Sequence, residues 1–430
     1  MKLLKVLVAV LVMAAMAVPV IAEDRLSLSG EMRVRAWTTD TDVDGWSDSV
    51  SDTWANQRLR IAGKIAVAEG VSVSFRTDIT EGTNWGDSSG FGGGAGNPER
   101  SNGFGHARSG SQQQWDRAHM DLTKGIFHLR AGQQYVGTGG TFAVDTQDSG
   151  LSLDIKTSVP FNVFFIVDKD GDSSLSSSAN YDVQDAYLYG ASVSPKGDNY
   201  SAKVFGAGYS DARFGTEVYV LGASASTKLG PVNLFGEFDY FTGDSSDDGT
   251  TKVDAVGSQL FVDASMAASD AFTVGGQLFY AAGTSKDDED QYIRLGNGFN
   301  GWDPIMDVGT SLSNEEITFG GALDGLGQQA NPFDFTNSHS GVVGGRLYTS
   351  FKASDTLNFG LSGAYLQTEE DKYVDVDAMA FAVGMNYAVL KNTTLGVQLQ
   401  YTDGTVNGQN GDPDVDFDSF QAGTGIFVAF

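Results

Sequence analysis

Residues 57 to 67 read QRLRIAGKIAV. Arg58, Arg60 and Lys64 share one parity while Leu59, Ile61 and Ile65 share the other, which is the period of a β-strand with two unlike faces. The surrounding chain is strongly acidic: 430 residues hold 27 lysines and arginines against 55 aspartates and glutamates, a net charge of -28. Such a balance argues against a nucleic-acid partner, which needs a basic surface to displace counterions from phosphates. The absence of cysteine excludes a disulfide scaffold and any thiolate metal site.

Residues 1–22 read as a cleaved secretory signal. Lys2 and Lys5 form a basic start, Val6 to Val18 is apolar, and Val20-Ile21-Ala22 offers a cleavage site before Glu23. The apolar run falls short of the ~20 residues of a spanning helix. Cleavage takes the formal charge from -28 to -30 and leaves residues 23–430 as one domain.

Beyond Ala22 no stretch is apolar enough for a membrane helix, yet alternation recurs in segments of roughly 10 residues, the signature of membrane strands. Leu26, Leu28, Met32 and Val34 alternate with Ser27, Ser29, Arg33 and Arg35, and Val71, Val73 and Phe75 alternate with Ser72, Ser74 and Arg76. Prolines beyond Pro19 fall between the segments, where no ladder hydrogen bond is lost. Short connections such as 68–70, 228–231 and 353–355 alternate with long ones such as 83–113 and 284–340. The expected fold is therefore all-β: a closed antiparallel transmembrane barrel of about 18 strands, or about 16, with short periplasmic turns and long extracellular loops.

An arginine or lysine facing lipid at mid-bilayer costs roughly 2 to 4 kcal/mol, so the aliphatic parity is expected to point outward and the basic parity inward. On the outward parity Tyr135, Tyr240, Tyr280, Tyr365 and Tyr401 fall near the long-loop ends, and Tyr200, Phe272, Phe351, Tyr387 and Phe430 near the short-turn ends. These are two expected interfacial girdles.

The chain ends TGIFVAF, with Ile426 and Val428 in phase with Phe430. This resembles the C-terminal assembly signal of Gram-negative outer-membrane proteins, and over the mature chain the architecture resembles the trimeric porins. The resemblance implies a multi-pass protein of the cell outer membrane, a homotrimer in contact with outer-membrane lipid and lipopolysaccharide, recognised by the assembly machinery through its last strand. It also implies a loop after the fifth strand that folds inward. The corresponding segment is VGTGGTFAVDTQDSG, residues 136–150, so Asp145 and Asp148 are carried over as constriction candidates.

Inward positions of the first five strands hold Arg33, Arg35, Arg58, Arg60, Lys64, Arg76, Arg117 and Arg130 against Glu31, Asp78 and Asp121, eight cations less three acids, or +5. Glu237, Asp239 and Asp263 are the acids expected to face them. Unit charges about 8 Å apart interact by roughly 2 kcal/mol at an effective dielectric of 20, enough to bias ions without trapping them. The expected function is passive diffusion of ions and small hydrophilic solutes. The alternative is a substrate-specific uptake or export channel for a saccharide or polymer, in which the connection 284–340, with Tyr292, Phe299, Trp302, Phe333 and Phe335, closes over the mouth.

Other motifs fail on context. Gly296, Gly298 and Gly301 spell a dinucleotide fingerprint without the strand and helix it needs. Asp168, Asp170 and Asp172 begin like a calcium loop, but position 12 is Ala179. Ser101, Asn102 and His106 resemble the serine, asparagine and histidine of outer-membrane phospholipases, in a different order and on a glycine-rich loop. An enzyme is therefore not expected, nor a cofactor, beyond Ca2+ or Mg2+ held loosely by acidic external loops such as KDDED and DPDVDFD.

Overall fold

A strand with one lipid-compatible face and one wet face is stable only when every backbone edge is paired, and here the sheet closes on itself. The structure is a computed structural model that describes residues 25–45, 50–84, 114–140, 142–169, 185–247, 251–284, 286, 288–293, 295, 340–372, 375–408 and 413–430. The first strands are β1 (Leu26–Val43), β2 (Val50–Ala68), β3 (Val71–Asn84), β4 (Gln114–Lys124), β5 (Phe127–Gly137), β6 (Asp145–Ile155) and β7 (Phe161–Lys169). There follow β8 (Ala186–Val193), β9 (Tyr200–Asp211), β10 (Thr216–Leu229), β11 (Val232–Asp247), β12 (Lys252–Ser269) and β13 (Phe272–Ala281). The last are β14 (Glu289–Gln291), β15 (Val342–Lys352), β16 (Leu357–Gln367), β17 (Val376–Leu390), β18 (Thr393–Val406) and β19 (Val415–Ala429). Eighteen of them form an antiparallel ring, and β14 adds a short parallel pairing to β12.

The ring closes between β1 and β19, in a register that sets Glu31 opposite Ala429. Gly30 and Phe430 exchange backbone hydrogen bonds of 2.7 and 2.9 Å, and the Phe430 ring lies over Gly30, where a Cβ would meet it at 2.5 Å. Tight reversals join the strands at this same end. Gly70, at φ 72°, approaches the Thr123 carbonyl so closely that a Cβ would stand 2.3 Å from it.

Parity separates the faces as the arginine argument requires. On β15, Arg346 is 5% exposed and the adjacent Leu347 is 75% exposed. The exposed girdle residues include Tyr240, Tyr365 and Tyr401 at the long-loop rim and Tyr200, Phe272, Phe351, Tyr387 and Phe430 at the short-turn rim. Leu347→Arg puts a charge on the outer face and is expected to cost roughly 2 to 4 kcal/mol. A lower midpoint for loss of barrel structure in refolding from denaturant checks this, with Arg346→Leu as the opposite-face comparison.

Three expectations need correction. Tyr135 is not a girdle residue: its ring sits 5.2 Å beneath the Arg117 guanidinium, and it lines the recess beside Arg130. The inward connection is residues 138–144 rather than 136–150, because Asp145 to Gly150 already pair with β5 as the start of β6. The inner face is also not polar throughout. Phe164, Ile166, Leu188, Phe205, Val220 and Phe241 form a buried apolar bed on β7–β11, against which Ala143, Val144 and Leu295 pack. Phe142 and Ile293 join a second apolar cluster on β13 and β15–β17, with Phe279, Val342, Leu366 and Ala380. Loops that fold inward need apolar partners, so the interior strands beneath them carry apolar residues on both faces.

Candidate functional site

The basic residues read from the first five strands line one side of the interior. Arg33 and Arg58 stand directly opposite one another across β1 and β2, and Arg76 and Arg117 across β3 and β4. Like charges in such positions repel, and neighbouring acids hold Arg58, Arg60, Arg76 and Arg130 in place. Arg58 reaches Glu31 at 2.5 Å. Arg60 grips Asp78 with two bonds of 2.5 and 2.6 Å, Asp78 being 0% exposed. Arg35 donates Nε–H to Asn56 at 2.9 Å.

Arg76 bonds Asp116 at 2.6 Å, and Asp116 also lies 3.4 Å from Arg60. Strict alternation misses Asp116, because a bulge between Arg76 and Thr77 in the β3–β4 pairing shifts the phase of β4. Four inward acids, Glu31, Asp78, Asp116 and Asp121, thus offset the eight cations, and the wall carries about +4 rather than +5.

Below this cluster, toward the short-turn rim, the wall opens into a recess of about 690 Å³. Small residues make it: Ser29, Ala62, Ser72 and Ser74 lie among the long side chains of Lys64, Arg117 and Arg130. Two histidines missed in the sequence reading border it. His128 Nε2 lies 3.0 Å from Asp121 and Nδ1 3.2 Å from Asp154, while His119 lies 3.5 Å from Asp121. Arg130 stands 3.6 Å from Asp121 and continues into a second recess of about 460 Å³, where Lys203 of β9 faces the interior. Parity alone would have found Lys203, whose partner Ser224 is buried.

The acids expected on the far wall are present but engaged. Glu237 and Asp239 are 3% and 0% exposed, and Gln259 donates to Asp239 at 2.8 Å. Gln277 and Tyr348 donate to Asp263 at 2.7 and 3.0 Å, and Arg346 stacks on Tyr348 at 4.9 Å. Arg346 was not among the candidates, since its strand holds no other cation but Lys352 at its short-turn end. Asp145 and Asp148 sit half-buried on β6, where Thr146 donates to Asp148, so the inward loop itself presents Phe142, Ala143 and Val144 rather than acids.

A second inward segment meets that loop. From β13 the chain returns through β14, which runs along β12 with Glu289 opposite Asp254, and Tyr292 donates to the Val256 carbonyl at 2.8 Å. Leu295 then donates its N–H to the Ala143 carbonyl at 2.8 Å. The Lys286 ammonium, 2.5 Å from Glu289, holds that carboxyl below its ordinary range and ties the start of the segment. Joined in this way, the two described segments pack their apolar residues mainly on β7–β13 and β15–β17, and the second cluster also reaches Val43 of β1 and Phe417 of β19.

Among the described residues no group of three or more histidine, aspartate or glutamate side chains is arranged to hold a metal ion. Ser101, Asn102 and His106, the glycines at 296–301, Asp170 and Asp172, and Phe299, Trp302, Phe333 and Phe335 lie outside the described residues.

No protein-family model and no curated protein matches the chain. Solved structures do. OccAB4 of Acinetobacter baumannii superposes with a TM-score of 0.52 at 13% identity, over 95% of this chain and 100% of its own. OpdK of Pseudomonas aeruginosa, solved with vanillate, gives 0.52 at 9% identity over 94% and 99%. The fold is that of the Gram-negative outer-membrane porins. OccK2 (OpdF) of Pseudomonas aeruginosa, in complex with glucuronate, gives 0.50 at 11% identity over 94% and 98%. The porin fold accounts for the closed ring of eighteen strands and for short turns opposite long connections.

Proposed function

We propose that this barrel is a passive channel of the outer membrane for small hydrophilic solutes, with a preference for anions. The observation that carries the reading is the asymmetry of the interior. Among the described residues the inward segments pack their apolar side chains mainly on β7–β13 and β15–β17, whereas β1–β5 carry the cluster of cations that leads into the recess beside Lys64 and Arg117. Partly paired arginines still shape the field in a narrow lumen, because charges in a low-dielectric wall act on ions in the water beside it even when buried or paired. Purified protein in a planar bilayer is expected to show stepwise, ohmic conductance with a reversal potential on the anion side. Sealed membranes after many insertions would defeat the proposal.

A selective channel is the second reading. The recess is large enough for a small organic solute, and vanillate and glucuronate, the compounds bound to OpdK and OccK2, both carry a carboxylate. Block of the current by either compound at millimolar concentration, with no block by an uncharged sugar, separates selection from free diffusion. In this proposal the protein is exported with loss of residues 1–22, is inserted by the outer-membrane assembly machinery through its C-terminal strand, and works as a homotrimer among lipopolysaccharide. Insertion in steps of three equal conductances is the expected signature of the trimer.

A further inference from the structure

The inward loop 138–144 is held to the barrel wall from one side by a single carboxylate. Gly140 donates its N–H to Oε2 of Glu237 on β11. Gly139 lies at φ 57°, where other side chains are strained, and a Cβ at Gly140 would fall 2.6 Å from the Phe235 ring and 2.7 Å from the same carboxylate, so either substitution makes the loop or its neighbours shift. Glu237 points inward from a strand whose neighbours Phe235 and, across the pair, Phe261 form an aromatic floor. Phe142, at the tip of the loop, rests on that floor with its ring 4.8 Å from Phe261. On the other side the Leu295 N–H caps the loop at Ala143.

We propose that Glu237 is the positioning residue of the constriction: it clamps the loop against β11 and so confines passing solutes to the basic wall of β1–β5. The proposal rests on the channel reading above. With the clamp gone, the loop lifts from β11 and a second path opens along Asp239 and Asp263, two acids that favour cations. Removing a carboxylate from the lumen without moving anything has the opposite sign, since it makes the passage more favourable to anions.

Two substitutions therefore separate clamp from charge. Glu237→Gln removes the charge and keeps an oxygen to accept the Gly140 N–H; Glu237→Ala removes both. Expected are conductance and loop protection close to wild type for Glu237→Gln, and for Glu237→Ala a severalfold higher conductance with a severalfold lower anion-to-cation permeability ratio. Gly140→Ala, which pushes the loop off from its own side without a change of charge, is expected to reproduce Glu237→Ala. Equal shifts toward anions in both Glu237 variants, or wild-type currents in Glu237→Ala and Gly140→Ala alike, overturn the clamp. If the wild-type protein does not conduct, the channel reading falls by itself. The clamp is then judged by hydrogen–deuterium exchange of the 138–144 peptide in detergent: protected in wild type and Glu237→Gln, exchanging in Glu237→Ala, with equal protection in all three refuting it.

Discussion

Replacing Arg58 and Arg60 together by alanine should move the ion preference of the barrel strongly toward cations. Two cations leave a wall of about +4, and their partners Glu31 and Asp78 remain. At roughly 0.5 kcal/mol per unit charge 8 Å away in water, losing two charges shifts an anion and a cation by about 1 kcal/mol each in opposite directions, so with tenfold per 1.4 kcal/mol the anion-to-cation permeability ratio is expected to fall on the order of tenfold. Reversal potentials across a salt gradient measure it directly. The structure adds a complication that parity does not reveal: Asp78 is fully buried and gripped by Arg60 through both oxygens, so Arg60→Ala removes two charged bonds from a buried carboxylate. Breaking such a pair from one side costs about 3 to 5 kcal/mol. Adding Asp78→Asn to the double variant should therefore recover stability while keeping most of the selectivity change. If the ratio stays at its wild-type value in both backgrounds, this wall does not govern selectivity.

The second large effect is expected from shortening the inward loop. With residues 139–143 replaced by a two-residue Asn-Gly turn, which joins antiparallel strands directly, conductance should rise severalfold and block by organic anions should disappear. The barrel should also lose stability, because Phe142 no longer covers Phe261 and Phe279, and Ala143 no longer packs among Phe164, Ile166, Phe205 and Phe241. Uncovering even two of those side chains costs about 3 to 6 kcal/mol at 1.5–3 kcal/mol each. An unchanged conductance would mean that the loop does not set the narrowest point.

How much of this was legible in the sequence follows from which signals are local. The alternation of QRLRIAGKIAV needs no knowledge of its neighbours, and it gave the outward face, the inward cations and, repeated, a ring of eighteen strands. Departures from strict alternation were not legible. Asp116 turns inward because of a bulge against Arg76 and Thr77, and Tyr135 lies under the guanidinium of Arg117 on the neighbouring strand. Both depend on pairing with a partner strand, and neither residue looks unusual alone. The start of β6, DTQDS, carries too little apolar character to read as strand, since its position at the rim beside the wet interior demands none. The apolar inner face of β7, FNVFFIVDK, makes sense only once Ala143 and Val144 are known to rest nearby. Glu237 was singled out as an acid facing the cations, but its bond to Gly140 joins residues 97 positions apart and has no local signature.

The seam between β1 and β19 bears on the order of events in assembly. Its register places Glu31 against Ala429, so the first strand has no partner on that side until the last one arrives. Contacts this distant in sequence form late and slowly. Throughout that interval the nascent sheet presents two raw edges, each a template for another copy of itself. Whatever escorts the chain must therefore shield both edges at once, and a variant that weakens the β19 pairing should show its defect as aggregation during biogenesis, before any change in the finished pore.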